Sequence, residues 1–259
     1  MTIHGKVALI TGASQGIGAA CAAAFRRRGA RLALAARSRD TLRAVGGADA
    51  LVCPADLTDP EARRRVVEAT LERYGSVDIL INNAGVGLYA PSWSAPLDPV
   101  RAMFELNLFV PVALAALVAP HMRARRSGVI VNVSSIAGRL TLPWLTLYSA
   151  TKHALSSFTD GLRMELRRDG VHVMEVCPGY VKTSFQEHVL AGRPPERLVR
   201  SRRFAVTAEE CAEAIARGVE HDARAVFTPP VGRLFVWLHR LLPLVVDAQM
   251  RRLTEERAA

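Results

Sequence analysis

Short apolar runs alternate with longer stretches of helical periodicity along almost the whole chain. The runs Val7–Ile10, Leu32–Ala35, Ala50–Cys53, Ile79–Ile81, Val129–Val133, Val171–Val176 and Ala225–Phe227 are apolar at nearly every position. A strand that alternates polar and apolar residues has one wet face; a continuous run predicts a strand covered on both. Helices are expected near 17–28, 60–74, 99–125, 148–168 and 207–220. Strand–helix alternation of this kind predicts an α/β fold, a doubly wound parallel sheet with helices on both faces. The segment from Ser38 to Ala48 looks short for a full helix.

No internal repeat, low-complexity tract or Pro/Gly/Ser-rich linker divides the chain, so residues 1–259 are expected to form a single domain. Two regions depart from the pattern. Residues 184–206, with Gly192, Pro194 and Pro195 followed by mixed charge, lack periodicity, and non-periodic loops of this length commonly serve as lids. This segment is the expected substrate lid. Beyond Gly232, Leu234, Phe235, Trp237, Leu238, Leu241, Leu242, Leu244, Val245 and Val246 recur near helical spacing among Arg233, Arg240, Arg251 and Arg252. Residues 232–257 are therefore expected to form an amphipathic helical extension, kinked or broken at Pro243. It is too short and too charged to span a bilayer. It either packs on its own domain or a second subunit, or rests as a basic amphipathic helix on an anionic membrane.

With 259 residues, half of them apolar, the chain is long enough for one substantial core. No stretch reaches the ~18 uninterrupted apolar residues of a membrane span. Met1–Lys6 runs straight into a strand-like segment, with no room for a signal peptide. Cys21, Cys53, Cys177 and Cys211 lie far apart, with no CxxC and no histidine at metal-ligand spacing. They read as small buried hydrophobes in a reducing compartment; no metal is expected, and the cytoplasm, or its membrane surface, is the expected location. The formal charge of +10 invites a nucleic-acid reading. Yet Arg26–Arg28 precede Gly29, Arg125–Arg126 precede Gly128, and Arg167–Arg168 precede Gly170. Cations before a capping glycine complement a helix dipole, so the charge is assigned to helix ends and no nucleic-acid partner is expected.

Candidate chemistry begins at Thr11-Gly12-Ala13-Ser14-Gln15-Gly16-Ile17-Gly18, between the first strand and the first helix. Glycines there let the backbone turn tightly and approach a pyrophosphate, and the helix N-terminus offers free N–H groups. The spacing is GxxxGxG. The second strand ends at Arg37, with no carboxylate before Asp40. An acid there would grip the ribose hydroxyl of NAD; an arginine suits the 2′-phosphate of NADP. A solvated arginine at a strand end is the alternative, so NADP is the expected cofactor and NAD remains open.

Tyr148 and Lys152 stand four residues apart on one predicted helix face, and Ser135 lies thirteen positions upstream of the tyrosine, at the end of an apolar run. A phenol ordinarily titrates near pH ~10, and a neighbouring cation is expected to pull it toward neutrality. Such a group can give or take a proton at a carbonyl or alcohol oxygen.

Together, the glycine turn, the Ser135–Tyr148–Lys152 set and the chain length resemble the short-chain dehydrogenase/reductase family, in its compact branch, from about Lys6 to Thr228. The resemblance implies a Rossmann-type sheet and several further roles. Asn82-Asn83-Ala84-Gly85 matches the motif that steadies the central sheet, with Asn83, Ala84 and Gly85 lining the adenosine side. Asp56, followed by Leu57, matches the aspartate that meets the adenine ring. Asn107 matches a fourth catalytic residue that holds a backbone kink and a proton-relaying water. Pro178, Gly179, Val181 and Thr183 match the turn that contacts the nicotinamide carboxamide. Gln15 departs from the Arg or Lys of many NADP-preferring relatives. By the same resemblance, the helices near 99–125 and 148–168 pair subunits in a homodimer or homotetramer.

The implied activity is oxidation or reduction between a ketone or aldehyde and an alcohol. Tyr148 would be the general acid/base, Ser135 the oxygen anchor and Lys152 the tuning cation and ribose ligand. Val86, Leu88, Tyr89, Trp93 and the stretch Leu140–Leu147 with Trp144 are the expected pocket walls, and their apolar character favours an apolar small-molecule substrate. Trp93 and Trp144 as plain core or subunit contacts are the alternative, and Arg193, Arg197 and Arg200 leave an acidic substrate open. A catalytically silent NADP-binding regulator and an NAD-preferring alcohol dehydrogenase are the rival functions.

Overall fold

Every residue of β1 (Val7–Thr11) is buried, with β2 (Arg31–Ala36) parallel on one side and β4 (Ile79–Asn82) parallel on the other. The structure, a computed structural model, describes residues 1–193 and 205–254. With β3 (Leu51–Pro54), β5 (Gly128–Val133), β6 (Val171–Pro178) and β9 (Ala225–Thr228), these strands form one sheet in the order β3-β2-β1-β4-β5-β6-β9. All neighbours are parallel. Each continuous apolar run found in the sequence is one of these strands, as expected of a sheet covered on both faces. The chain builds outward from β1 through β2 to β3, then returns to place β4 on β1's other side. That reversal opens a crevice at the carboxyl ends of β1 and β4, where sheets of this kind bind ligands.

Two apolar layers flank the sheet. On one face α1 (Gly16–Arg27) and the helix Ala208–Glu220 pack Cys21 and Phe25 against Cys211, Ile215 and Val219. On the other, α3 (Pro60–Tyr74), α5 (Val110–Ala124) and α6 (Thr146–Leu166) contribute Val66, Leu114, Val118, Met122 and Leu166. Complete burial of one such Leu or Phe side chain contributes roughly 1.5–3 kcal/mol. All four cysteines are free and buried inside these layers.

Local signals fix the helix ends. Asp59 accepts a hydrogen bond from the Glu61 N–H at 3.0 Å and starts α3, while Gly75, at φ 77°, ends it. The same logic accounts for Ser38–Ala48, which looks short for a full helix: Ser38 caps an eight-residue helix, α2 (Arg39–Gly46), and Gly47 at φ 70° stops it after about two turns. The arginine clusters join elements. Arg26 donates to the carbonyls of Val45 (2.9 Å) and Gly46 (3.2 Å) at the end of α2. Arg28 pairs with Glu213 and Glu220, and Arg125 donates to the Val77 carbonyl at 2.9 Å.

The long helix expected near 99–125 comprises α4 (Leu97–Phe104), a π-turn over Glu105–Phe109, and α5. By length and composition this 28-residue stretch is apolar enough to cross a membrane, but α5 lays Val110, Leu114, Val118 and Met122 into the core. A two-stranded parallel sheet joins β7 (Val181–Lys182) to β8 (Val206–Thr207), directly before α7 (Ala208–Glu220). The tail forms two helices, α8 (Val231–Leu241) and α9 (Pro243–Thr254), and Pro243 marks the break between them. Pro194, Pro195, Arg197 and Arg200 of the expected lid, and residues 255–257 of the extension, lie outside the described residues.

Candidate active site

The glycine turn lies at the reversal between β1 and β4. Gly12 has φ 62° and Gly16 φ 55°, both in the left-handed region where glycine is at ease. A Cβ on Gly18 would sit 2.2 Å from the Gly12 carbonyl oxygen, and one on Gly12 would sit 2.9 Å from Ala84 Cα. The first helix therefore enters as close to the sheet as backbone can come. Gln15 occupies the N-cap of α1 without a side-chain capping bond, and Ser14 and Ile17 lie on either side of Gln15-Gly16. The initial N–H groups of α1 are thus left to a ligand or solvent, as a phosphate cradle requires.

Asn83 and Ala84 are bound into this turn. The Thr11 hydroxyl accepts hydrogen bonds from the N–H of Asn83 (2.9 Å) and Ala84 (3.1 Å), and the Asn83 amide donates to the Thr11 and Gly12 carbonyls. Thr11 carries no signal of this role in the sequence beyond its place at a strand end. At the far end of the crevice, Arg37 is exposed where β2 stops. Asp56 accepts from the Thr58 backbone (2.9 Å) and hydroxyl (2.8 Å), which hold its carboxyl below the ordinary range, and Arg37 adds to that shift. Arg37 and Asp56 therefore share one electrostatic neighbourhood. Leu57 is buried beside them. Free helix N–H groups, a tight glycine cradle and an exposed guanidinium one strand over together fit a nicotinamide dinucleotide.

Ser135, Tyr148, Lys152 and Asn107 come together at the carboxyl ends of β4 and β5. Asn107 is fully buried within the π-turn. Its Oδ1 accepts from the Val86 N–H at 2.9 Å, and its Nδ2 donates to the Val86 carbonyl at 2.9 Å and to Thr151 Oγ1 at 3.1 Å. A residue inserted into the helical ladder and held by strand-end backbone accounts for the π-turn at this point. The Thr151 contact is readable from sequence only after α6 and the π-turn are known to touch. A Cβ on Gly85 would meet Asn107 Oδ1 at 3.0 Å and Lys152 Nζ at 3.6 Å, so a larger residue would press the Asn107 amide out of place.

Lys152 Nζ donates to the Val133 carbonyl at 2.9 Å and stands 5.8 Å from the centroid of the Tyr148 ring. Burial pushes this ammonium down to about 8. The Tyr148 phenol shifts the opposite way from the expectation set out above. Burial among apolar neighbours raises it, the Ser135 hydroxyl opposes the shift, and the nearby Tyr89 raises it further. The reason is geometric. The lysine cation is spent on the Val133 carbonyl and lies over the ring rather than at the hydroxyl, so desolvation dominates. Ser135 also donates to the Pro178 carbonyl at 3.3 Å and accepts from the Ala137 N–H at 3.1 Å.

Pro178 ends β6, and Gly179 donates its N–H to the Thr228 carbonyl at 2.7 Å. Val181 opens β7. The Thr183 methyl lies 3.2 Å from the point where a Gly16 Cβ would be, so this turn closes over the glycine cradle. From Thr183 the chain forms a short 3-10 turn, Ser184–His188. There the Phe185 ring meets the Tyr148 ring edge-on, with centroids 5.9 Å apart. The neighbouring Gln186 donates to the Tyr89 hydroxyl at 3.4 Å. Phe185 was not singled out from the sequence; a lone aromatic in a non-periodic stretch gives no sign of its target.

Of the expected pocket walls, Leu88, Tyr89 and Leu140 are buried, and Leu88, Val86 and Leu147 pack in one cluster with Tyr148. Trp144 adopts φ 65°, a strained conformation for a bulky side chain, and its carbonyl accepts from the Ala90 N–H at 3.0 Å. Trp93 is 88% exposed, which corrects its assignment to a wall and also the alternative that it packs the core. It falls in the Pro91–Pro96 turn region, where no element among the described residues covers it. Among the described residues no cluster of His, Cys, Asp and Glu can hold a metal ion.

The model of the family described as short chain dehydrogenase matches residues 6–194, well over half of the chain. A "Dehydrogenase/reductase SDR family protein 7-like" from Anopheles gambiae is 32% identical over 268 residues, covering 98% of this chain and 84% of its own length. A short chain dehydrogenase/reductase from Burkholderia phymatum, solved in complex with NAD, superposes with a TM-score of 0.85 at 27% identity, over 95% of this chain and 96% of that one. A short chain dehydrogenase from Burkholderia cenocepacia, solved in complex with NADP, gives 0.82 at 28% identity, over 99% of this chain and 100% of that one.

Proposed function

The chain belongs to the short-chain dehydrogenase family of oxidoreductases, and on that premise we propose that it is an NADP(H)-dependent enzyme interconverting an apolar ketone or aldehyde and its alcohol. The observation that carries the reading is the convergence of Ser135, Tyr148, Lys152 and Asn107 at the edge of a glycine-cradled crevice. The backbone of Gly12, Gly16 and Gly18 with Ser14, Gln15 and Ile17 would hold the pyrophosphate, and Arg37 the 2′-phosphate. Asp56, Leu57 and Asn83–Gly85 would line the adenosine side, and Pro178, Gly179, Val181 and Thr183 the nicotinamide side. The nicotinamide, when bound, supplies or accepts the hydride. NADP is favoured over NAD because β2 ends in an exposed guanidinium with no carboxylate before Asp40.

The protein's own part is to hold the reacting oxygen and move its proton. In reduction, the Tyr148 hydroxyl gives its proton to the carbonyl oxygen. Its raised pKa keeps the proton on the phenol at neutral pH, and a cation brought toward its oxygen would ease the transfer. The Ser135 hydroxyl, which accepts from the Ala137 N–H, would turn its proton from the Pro178 carbonyl to the same oxygen as charge develops there. Oxidation requires the phenolate, which the buried site disfavours until a positive charge approaches the phenol oxygen. Lys152, displaced from the Val133 carbonyl toward a bound ribose, is the group suited to that. Asn107 fixes the Val86 backbone and, through Thr151, the first turns of α6. Leu88, Tyr89 and Phe185 are close to Tyr148 and largely apolar, which favours an apolar carbonyl compound. Residues 184–193 are read as the described part of the lid over it, and the exposed Phe109 at the end of the π-turn as part of a homo-oligomeric contact. A screen of hydrophobic ketones and aldehydes, following NADPH absorbance, tests the reading. Turnover that depends on Tyr148 supports it, and its absence across the screen in a protein that binds NADPH favours a silent binding protein.

A further inference from the structure

Twelve large apolar side chains stand exposed among the described residues, and seven of them lie between Val231 and Val245. Isolated exposed hydrophobes are ordinary; a contiguous cluster marks a surface that something covers. Leu234, Trp237 and Leu241 follow one another at three and four positions along α8 and share one face. Leu244 and Val245 extend it onto α9, 81% and 64% exposed. Val236 and Val246 are buried; Val231–Leu241 packs on β9 and carries α9 against it.

Charge identifies the occupant. α8 contains Arg233, His239 and Arg240 and no carboxylate. The described acid of α9, Asp247, lies 3.6 Å from His239 Nε2. A second copy of this chain docked face to face would set these arginines against their own counterparts. An anionic bilayer would neutralise them while taking the apolar face into its acyl boundary.

We propose that α8 and α9 form a docking surface for anionic lipid membranes. The surface also borders the site. A Cβ on Gly232 would touch Ile136 Cγ2 at 3.4 Å, and one on Gly179 would meet Pro229 Cδ at 3.5 Å. The start of α8 thus lies against the turns that carry Ser135 and Pro178. Docking would turn the mouth of the pocket toward the bilayer, a consequence that rests on the function proposed above; the docking itself does not.

The test is cosedimentation of the full chain with phosphatidylcholine vesicles, with and without phosphatidylglycerol, alongside a separate NADPH titration. The expected result is binding to the anionic vesicles that weakens with salt. Arg240→Gln lowers vesicle affinity roughly fivefold, and Leu241→Glu with Leu244→Glu abolishes binding while NADPH affinity is kept. Equal binding to both vesicle types, or none to either, overturns the proposal. So does a fall in solution mass in the double variant when the wild type ignores vesicles, which assigns the face to a subunit contact. Vesicle binding without NADPH binding would leave the docking surface standing and remove the proposed function.

Discussion

Phe185 stands edge-on to Tyr148, with ring planes at 62° and centroids 5.9 Å apart. The contact depends on two glycines. A Cβ on Gly87 would lie 3.0 Å from the Phe185 ring, and one on Gly192 would lie 1.7 Å from the Tyr89 carbonyl oxygen. Leu190 and Tyr89 complete the closure, donating to the carbonyls of Gly87 (2.9 Å) and Ala191 (3.0 Å). The segment after Thr183 is therefore laced to the loop after β4, directly over the phenol.

Phe185→Ala is expected to open the enclosure above Tyr148. Bulky ketones should gain in kcat/KM relative to small ones, while NADPH affinity stays unchanged because the glycine cradle is untouched. Steady-state kinetics over a graded series of ketones checks this. An unchanged size preference would show that Phe185 does not border the substrate.

Arg37→Ala should weaken NADPH binding by ten- to a hundredfold, the loss of a charge-assisted contact of roughly 1.5–3 kcal/mol. NADH binding should be nearly unaffected. Fluorescence titration with each cofactor decides the matter. Equal losses for both would mean that Arg37 acts only through its neighbour Asp56.

Lys152 gives the pH dependence. Its folded-state value, about 8, lies below the ordinary lysine value of 10.5. Between those values the unfolded chain holds a proton that the folded chain has released, so stability rises with pH across that window. Below about 8 both states are protonated and the burial cost is fully felt. Chemical denaturation from pH 7 to 10.5 should show the rise, of order 3 kcal/mol at most. Lys152→Met should flatten it. A wild-type curve that is flat or falling would contradict the buried lysine.

Asn107→Ala should leave the N–H and carbonyl of Val86 without their partner, at about 1–3 kcal/mol for each buried group left unpaired. A lower Tm is expected together with a lower kcat. Asn107→Asp, which keeps the acceptor but loses the donor, should fall between. Thermal melts and kinetics on the same preparations test this.

Much of this architecture is legible in the chain because the relevant signals are local. Continuous apolar runs declare a doubly covered parallel sheet, the glycine turn declares a helix start, and four-residue spacing sets Tyr148 and Lys152 on one face. What escapes is set by tertiary detail. Ser38 and Gly47 set the two ends of the short helix between them, because caps fix where a helix starts and stops. Trp93 looks like a wall by its chemistry, but no element among the described residues covers it. The Tyr148 pKa depends on where Lys152 sends its three N–H donors, and spacing does not reveal that Val133 takes one of them. Phe185 reaches Tyr148 only through the loop pairing around Gly87 and Gly192.

The most direct measurement compares wild type with Tyr148→Phe, in NADPH titration and in NADPH-dependent reduction of a hydrophobic ketone. The account predicts equal NADPH affinity and a kcat reduced by roughly 10²–10⁴-fold, the usual contribution of a positioned acid. A variant that turns over ketone at the wild-type rate would contradict the assignment of Tyr148 as the proton donor.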